Sequence, residues 1–170
     1  ALATCNGLIL DVRDNGGGQL TAATKLAARF TNKDILVGYM RHKTGRGRSD
    51  FSGMKEQRLK PSAGIRWQKK VVVLTNRSVY SAANEFVKYM KCCPGVTVVG
   101  DRTGGGAGMP FSSEMPNGWS VRFSACPMYD REERCTEFGI EPDHAVGITD
   151  EDFRRGRDTI IEFARTLING

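Results

Sequence analysis

The stretch Gly7-Leu-Ile-Leu-Asp-Val-Arg-Asp-Asn-Gly-Gly-Gly18 decides the fold of this chain. Its apolar first half predicts a short buried strand over Gly7–Val12, and its polar, glycine-rich second half predicts an abrupt turn. The apolar residues that follow recur at helical spacing and predict a helix over Gln19–Phe30. They are Leu20, Ala23, Leu26, Ala27 and Phe30. A strand, a tight turn and a helix in this order are typical of one unit of an α/β fold.

The same alternation continues along the chain. Further strands are predicted at Asp34–Met40, Lys70–Thr75 and Gly95–Val99, helices at Ser81–Met90 and Asp150–Ile168, and a hairpin at Phe111–Glu114 and Trp119–Ala125. The run Lys70–Thr75 is continuously apolar between its ends, as in parallel strands that are buried on both faces. We therefore expect one α/β domain over residues 1–170, with a largely parallel sheet and flanking helices.

Length and composition exclude several classes of protein. The chain has 170 residues, of which 39% are hydrophobic and 26% are charged, and this composition fits one folded domain better than a disordered tail. No apolar run approaches the ~20 residues that span a bilayer. The five Cys are odd in number and form no C-x-x-C pair. We therefore predict no metal site, and we interpret most of the thiols as small buried groups.

The positive charge is concentrated in one segment. The net charge is +6, and residues 41–70 carry ten basic and two acidic side chains. Arg41–Ile65 is also rich in Gly and Ser, which predicts an arm or surface loop. Two functions are open for Arg46 and Arg48: a solvated surface, or capture of a substrate carboxylate, which the planar guanidinium matches. Phe51 and Trp67 form a poor stacking platform, so we predict no nucleic-acid partner.

Glycine-rich loops follow two of the predicted strands. Gly16–Gly18 precedes a helix, and Gly100–Gly108 follows the strand that ends at Val99. The spacings of phosphate-binding loops are absent, so we predict no nucleotide and no other cofactor. Two interpretations remain. The glycines form tight turns that need positive φ, or they form an oxyanion hole, in which backbone N–H groups stabilise a developing negative charge.

Ser81 is the best candidate nucleophile. It follows a predicted buried strand and a short turn, and it begins a helix, where the dipole and free N–H groups favour an anion. The alternative is that Ser81 only caps this helix. A serine nucleophile needs a base, and the chain contains only His42, which we expect to be solvated, and His144, which could be a surface residue. Glu137 could orient a base or be a solvated turn residue.

Four segments resemble, in order, the motifs of the carboxyl-terminal processing (tail-specific) serine peptidases. They are Gly7–Gly18, Leu74-Thr-Asn-Arg-Ser-Val-Tyr-Ser-Ala-Ala-Asn-Glu85, Val99-Gly-Asp-Arg-Thr-Gly-Gly-Gly106 and Phe138-Gly-Ile-Glu-Pro-Asp143. The resemblance implies a crotonase/Clp-like α/β core. It also implies Ser81 as the nucleophile, and an oxyanion hole made by the N–H of Ala82 with that of Gly17 or Gly18.

The chain is similar to one branch of that family. The best-known branch uses a Ser/Lys pair, but this sequence has Gly106 at the position of the Lys. It resembles instead the branch with tricorn protease and the interphotoreceptor retinoid-binding protein, in whose peptidases a His is the base and a Glu orients it. Glu137 matches that Glu. The family's His lies upstream of the first motif, hence before Ala1, and neither His42 nor His144 matches it.

The sequence thus predicts the catalytic core of a serine endopeptidase that acts on peptide or protein substrates. Ser81 and Glu137 are in this chain, and the His is expected to come from outside it. The chain starts without an initiator Met, and we interpret it as the core of a longer protein, without the PDZ-like part common in the family. Because family members are often exported, we expect the cell envelope, the periplasm or secretion. The alternative function is a non-catalytic module that binds a lipophilic, retinoid-like ligand.

Overall fold

Strands and helices alternate through most of the chain, and the computed structural model describes residues 4–170. The strands are β1 (Gly7–Asp11), β2 (Ile35–Met40), β3 (Lys55–Leu59), β4 (Lys70–Thr75), β5 (Val96–Gly100), β6 (Phe111–Glu114), β7 (Ser120–Phe123), β8 (Met128–Tyr129) and β9 (His144–Ala145). The helices are α1 (Leu20–Ala27), α2 (Ala82–Lys91), α3 (Asp150–Arg154) and α4 (Thr159–Asn169), and a 3-10 turn at Ala28–Phe30 extends α1. The α/β fold class predicted from the sequence is confirmed.

A four-stranded parallel sheet in the order β1-β4-β5-β9 forms the centre of the fold. Alternate side chains of β4 are buried on opposite faces of this sheet, as its apolar run predicts. Val71 and Val73 pack in the same cluster as Phe86 of α2, whereas Leu74 packs with Ile160 of α4. The helices α2 and α4 therefore cover opposite faces, and the carboxyl ends of β4 and β5 lie together at one edge.

A second, antiparallel sheet contains two strands that the sequence did not predict, β3 and the two-residue β8. Its order is β3-β2-β8. The predicted strand at Asp34–Met40 exists as β2, but it pairs here and not in the parallel sheet. The strand β3 lies inside Arg41–Ile65, which was expected to be an arm or loop, so that prediction is wrong for its second half. Four of the five residues of β3 are exposed or half-buried, so its sequence lacks the alternation of apolar residues that predicts a strand. The strand forms because it pairs with β2.

The first half of the basic segment is an ordered turn. Lys43 forms a β-bridge with Phe51, and its ammonium group lies 4.5 Å from the centre of the Phe51 ring. The carboxylate of Asp50 accepts a hydrogen bond from the N–H of Gly47 at 2.6 Å. These contacts close residues 43–51 into a compact loop, whose outer side carries Arg46 and Arg48.

The predicted C-terminal helix is divided in two. Gly156, at φ +64°, ends the first part. Thr149 caps α3 by accepting from the N–H of Asp152, and Asp158 caps α4 by accepting from the N–H groups of Ile160 and Ile161. A positive φ and a new N-cap inside the segment explain why one continuous helix does not form.

The cysteines and the helix lengths complete the description. All five Cys are free thiols, but only Cys93 and Cys126 are buried, fewer than the sequence interpretation expected, and Cys135 is exposed. Burial raises the pKa of the Cys93 thiol to about 12, so this thiol is uncharged at neutral pH.

Over residues 4–170, no helix combines the length and the apolar composition needed to cross a membrane.

Candidate active site

Ser81 lies at the carboxyl edge of the parallel sheet in an unusual backbone conformation. The chain leaves β4 at Thr75, turns through Asn76–Tyr80 and enters α2 at Ala82. Ser81 has φ 59° and ψ −125°, and its side chain makes no capping hydrogen bond to α2. Its N–H donates to the carbonyl of Gly105 at 2.8 Å. A non-glycine residue in such a region stores about 1–3 kcal/mol of strain, which the surrounding structure must hold.

The first glycine-rich turn packs directly against Ser81. A Cβ atom placed on Gly17 would lie 2.7 Å from the Ser81 Cβ and 3.0 Å from the Ala82 nitrogen. Only glycine permits this approach, because Gly17 also has φ +105°. The N–H of Gly17 donates to Asn15 Oδ1 at 2.9 Å, whereas Ala82 is the first residue of α2, whose leading N–H groups have no partner inside the helix. The turn and the helix start therefore bring backbone donors beside the serine.

A small apolar cavity opens next to this turn. Its volume is about 210 Å³, and the glycine turn and Ala82 form one side of it. Side chains of α1 and α2 form the rest, among them Ala22, Ala23, Leu26, Ala83 and Phe86. Within the described chain no charged side chain lines this cavity. A larger cavity of about 450 Å³ lies elsewhere and is lined by charged residues such as Lys91 and Asp143, which form an ion pair.

Glu137 is joined to Ser81 through the second glycine-rich loop. The N–H of Gly106 donates to the carbonyl of Glu137 at 2.9 Å, and the carbonyl of the preceding Gly105 accepts from Ser81. The Glu137 carboxylate lies beside Gly108, where a Cβ atom would be 3.4 Å from Oε2. Burial raises the pKa of Glu137, and a hydrogen bond with the hydroxyl of Ser124 partly offsets this effect. The loop between β5 and β6 thus links the backbone of Ser81 to that of Glu137, whose side chain is partly buried.

Neither histidine of the chain contacts Ser81 or Glu137 in the described structure. His42 is half-buried, and its Nδ1 lies 3.3 Å from the Cys126 sulfur, so the prediction of a solvated side chain is wrong. The reason is that the loop carrying His42 folds onto the chain after β7. The exposed His144 lies in β9, and its ring stacks on Phe163 of α4 with centroids 5.4 Å apart. That contact directs His144 to the face of the sheet opposite α2.

The position expected for a catalytic lysine in the other branch is closed here. Gly106 has φ +73°, and a Cβ atom on it would lie 2.0 Å from Cζ of the Tyr80 ring. The half-exposed ring of Tyr80 therefore occupies the space through which a side chain at position 106 would leave the backbone. The contact could not be found from the sequence, because it depends on how two turns cross.

Arg46 and Arg48 lie at the surface, on the compact loop of residues 43–51. Both side chains are exposed, and within the described residues neither forms an ion pair. The base of their loop is fixed beside the end of the hairpin, where the N–H of Arg41 donates to the carbonyl of Pro127 at 3.0 Å. Since Cys126 and Ser124 lead into this point, the loop begins close to the Glu137 side of the site.

Solved structures of other proteins share the fold of this chain. A structure from Parabacteroides merdae ATCC 43184, described as a candidate peptidase, is 57% identical over 98% of this chain and 53% of that chain, with a TM-score of 0.94. Mature CPAF in complex with lactacystin is 16% identical over 96% of this chain and 45% of that chain, with a TM-score of 0.83. Tricorn protease is 24% identical over 96% of this chain and 15% of that chain, with a TM-score of 0.65.

The two more distant likenesses show the fold alone, and the chain spans about half the length of the Parabacteroides protein. No curated protein matches the chain. The family model of peptidase family S41 matches residues 1–146. This match covers all four motifs found in the sequence and confirms the resemblance to the carboxyl-terminal processing peptidases: the chain belongs to peptidase family S41.

Proposed function

We propose that the complete protein is a serine endopeptidase of the tail-specific class and that Ser81 is its nucleophile. The conformation of Ser81 carries this proposal. Ser81 has a strained backbone and no side-chain capping bond, and it contacts a glycine turn that lines an apolar cavity. Backbone strain clusters at functional sites, so this conformation supports a functional role for Ser81.

The reaction follows from the groups around Ser81. Its Oγ attacks the carbonyl carbon of a peptide bond, and its proton passes to a His that this chain does not supply. The carbonyl oxygen becomes an anion, which the N–H groups of Gly18 and Ala82 stabilise. Gly18 is the better donor of the two turn glycines, because the N–H of Gly17 already donates to Asn15. The His then gives its proton to the leaving amine, and water releases the acyl group by the same steps.

Glu137 has the role of the carboxylate that orients the His. A carboxylate behind an imidazole fixes its tautomer and stabilises the imidazolium that forms during the reaction. Partial burial strengthens such an interaction, because screening by water is reduced. The mechanism uses no metal and no organic cofactor.

The surroundings of the site suggest which substrates it takes. The cavity beside the oxyanion hole has apolar walls and a volume of about 210 Å³, which suits an uncharged side chain of moderate size on the acyl side of the cleaved bond. Arg46 and Arg48 are proposed to bind the C-terminal carboxylate of the substrate. A location in the cell envelope, or secretion, is proposed from the family resemblance.

The alternative of a lipophilic-ligand module is less well supported. Ligand pockets for molecules of drug size usually measure about 300–1,000 Å³, and the apolar cavity here is smaller, at about 210 Å³.

Labelling with a fluorophosphonate tests the proposal. The complete protein is expected to react at Ser81, and Ser81→Ala should abolish both labelling and peptide hydrolysis while the melting temperature stays within a few degrees. Hydrolysis by a purified, folded Ser81→Ala protein would show that the nucleophile is a different residue. Absence of labelling and hydrolysis in the wild type, together with retention of a lipophilic ligand, would favour the binding module.

A further inference from the structure

A buried polar cluster lies between α2 and the segment that carries Glu137. Asn84 and Thr103 are fully buried, with 0% relative exposure, and Thr136 is 2% exposed. Buried polar side chains cost free energy unless they are hydrogen-bonded. The partners of their hydrogen bonds therefore show which segments of the fold these side chains connect.

The bonds form a bridge between three segments. The hydroxyl of Thr103 donates to Asn84 Oδ1 at 2.6 Å and accepts from the N–H of Ile140 at 2.7 Å. The amide of Asn84 donates through Nδ2 to the carbonyl of Thr136 at 3.3 Å. Asn84 in α2 is thus tied to both ends of the segment 136–140, once directly and once through Thr103.

The position of this bridge relates it to the proposed chemistry. Asn84 stands three residues after Ser81 at the start of the same helix, and Thr136 immediately precedes Glu137. The segment 136–140 lies outside all helices and strands, and Phe138 within it is 72% exposed. Apart from Ile140, which packs against the core, the segment has little apolar packing. Its position relative to Ser81 is therefore set by hydrogen bonds, those of the Gly105–Gly106 backbone and those of the buried bridge.

We infer that Asn84 and Thr103 are positioning residues, which hold the Glu137 carboxylate at a fixed place relative to the Ser81 hydroxyl. The inference rests on the proposed function. A displacement of about 1 Å among catalytic groups can lower the rate about 100-fold. The loss of one hydrogen bond of the bridge should therefore lower the rate of the reaction. It should affect turnover more than substrate binding, because neither residue lines the apolar cavity.

Thr103→Val in the complete protein is the central variant. It keeps the shape of the side chain and removes the hydroxyl, which leaves Asn84 Oδ1 and the N–H of Ile140 without partners. We expect kcat to fall at least about tenfold, with KM changed less than about twofold. Thr103→Ser keeps the hydroxyl and should retain most of the wild-type kcat. Asn84→Ala removes the bridge from the other side, and its combination with Thr103→Val should cost little more than either change alone.

Thr31→Val is the matched control. Thr31 is also 0% exposed, and its hydroxyl likewise donates to one backbone group and accepts from another, both belonging to Lys33. It lies before β2, away from Ser81, so it should lower stability without lowering kcat. The two variants are compared at the same fraction of folded protein. If Thr31→Val and Thr103→Val then lose kcat equally, Thr103 has only a structural role and the inference is overturned. An unchanged kcat in Thr103→Val or, if that variant does not fold, in Asn84→Ala would overturn it as well.

A measurement without catalysis separates this inference from the proposed function. A crystal structure of Thr103→Val, or of Asn84→Ala if Thr103→Val does not fold, is expected to show segment 136–140 displaced relative to Ser81, and an undisplaced segment would overturn the inference even in an active enzyme. Activity that survives Ser81→Ala would instead overturn the proposed function, whatever the Thr103 variants show.

Discussion

The two sides of the candidate site are held by different forces. Ser81 follows the fully buried residues Leu74 and Val79 and precedes a helix whose next residues are buried. Glu137 follows a loop and faces the hairpin β6–β7, in which seven of the eight strand residues are exposed. The serine is therefore held in its strained conformation mainly by the apolar packing around it, whereas the carboxylate is held by hydrogen bonds between loops. The difference teaches that the two sides should respond differently to mutation and to pH.

The sharpest test of the serine side is Ser81→Gly. Glycine adopts φ 59° and ψ −125° without the strain of a Cβ atom, so the free energy of unfolding should rise by about 1 kcal/mol. At the same time kcat should fall by about 10⁴-fold or more, because the nucleophile is lost. Denaturant unfolding and peptide hydrolysis measure the two effects. Ser81→Ala is the control: it should be equally inactive but not stabilised, and a stabilised Ser81→Ala would argue against strain.

The second-largest loss of activity is expected from a change in the glycine turn. In Gly17→Ala the new Cβ would lie 2.7 Å from both the Ser81 Cβ and the Tyr80 carbonyl oxygen, so the turn must move away from the serine. Displacing an oxyanion donor typically costs about 100–1,000-fold in kcat.

Gly156→Ala is the matched control for that change. Gly156 also has a positive φ, of +64°, but a Cβ there meets no atom within 4 Å, and it lies between α3 and α4, outside the candidate site. Both variants should lose stability through backbone strain, and Gly17→Ala should lose much more activity. If both lose the same activity, contact with Ser81 is not the cause.

On the carboxylate side, the effect of Ser124 on Glu137 should be visible in the pH dependence of activity. Its hydrogen bond lowers the pKa of Glu137, against the larger raising effect of burial. In Ser124→Ala the pKa of Glu137 should therefore rise further. Glu137 acts as a carboxylate, so activity is present above its pKa and is lost as the pH falls through it. On the acid limb of the kcat profile, the step due to Glu137, which lies below the step due to the His base, should thus move to higher pH. In Glu137→Gln that limb should no longer depend on Ser124, and an unmoved profile in Ser124→Ala with Glu137 intact would contradict the assignment.

The smallest expected effect is at the exposed loop. Arg46→Ala combined with Arg48→Ala should raise KM for peptides with a free C-terminus by about two- to tenfold, since exposed charge pairs contribute little each. The effect should shrink as salt is added, because exposed charges are screened over about 8–10 Å. Peptides with an amidated C-terminus serve as the control. If their KM rises equally, the two arginines do not bind the carboxylate.

The sequence predicted best where burial dominates. Most of the core is formed by β1, β4, β5 and α2. In these elements the spacing of the apolar residues shows directly which face is buried. The strand β3 was missed because its Lys55-Glu-Gln-Arg-Leu59 sequence has no apolar alternation, and its order comes from a partner strand. The break in the C-terminal helix was visible in Gly156 and Asp158, but a continuous apolar pattern outweighed those signals.

The candidate site was predictable only in part. Ser81, Glu137 and the glycines were named from motifs, and the structure brings both glycine loops to Ser81. The bridge of Asn84 and Thr103 could not be predicted, because its partners are separated by 19 and 52 residues and none of them is unusual in its local sequence. The contact of His42 with Cys126, across 84 residues, was unpredictable for the same reason.

The contact between Tyr80 and Gly106 constrains how this site could evolve. A lysine introduced at position 106 would meet the tyrosine ring, at 2.0 Å for its Cβ, and would have to adopt φ +73°. Replacement of Tyr80 by a small residue would relieve only the first obstacle. A route from this site to a Ser/Lys pair therefore needs at least two coordinated substitutions, and the lysine is tolerated only if the tyrosine changes first. Epistasis between these two positions would keep such lineages apart even though their folds are shared.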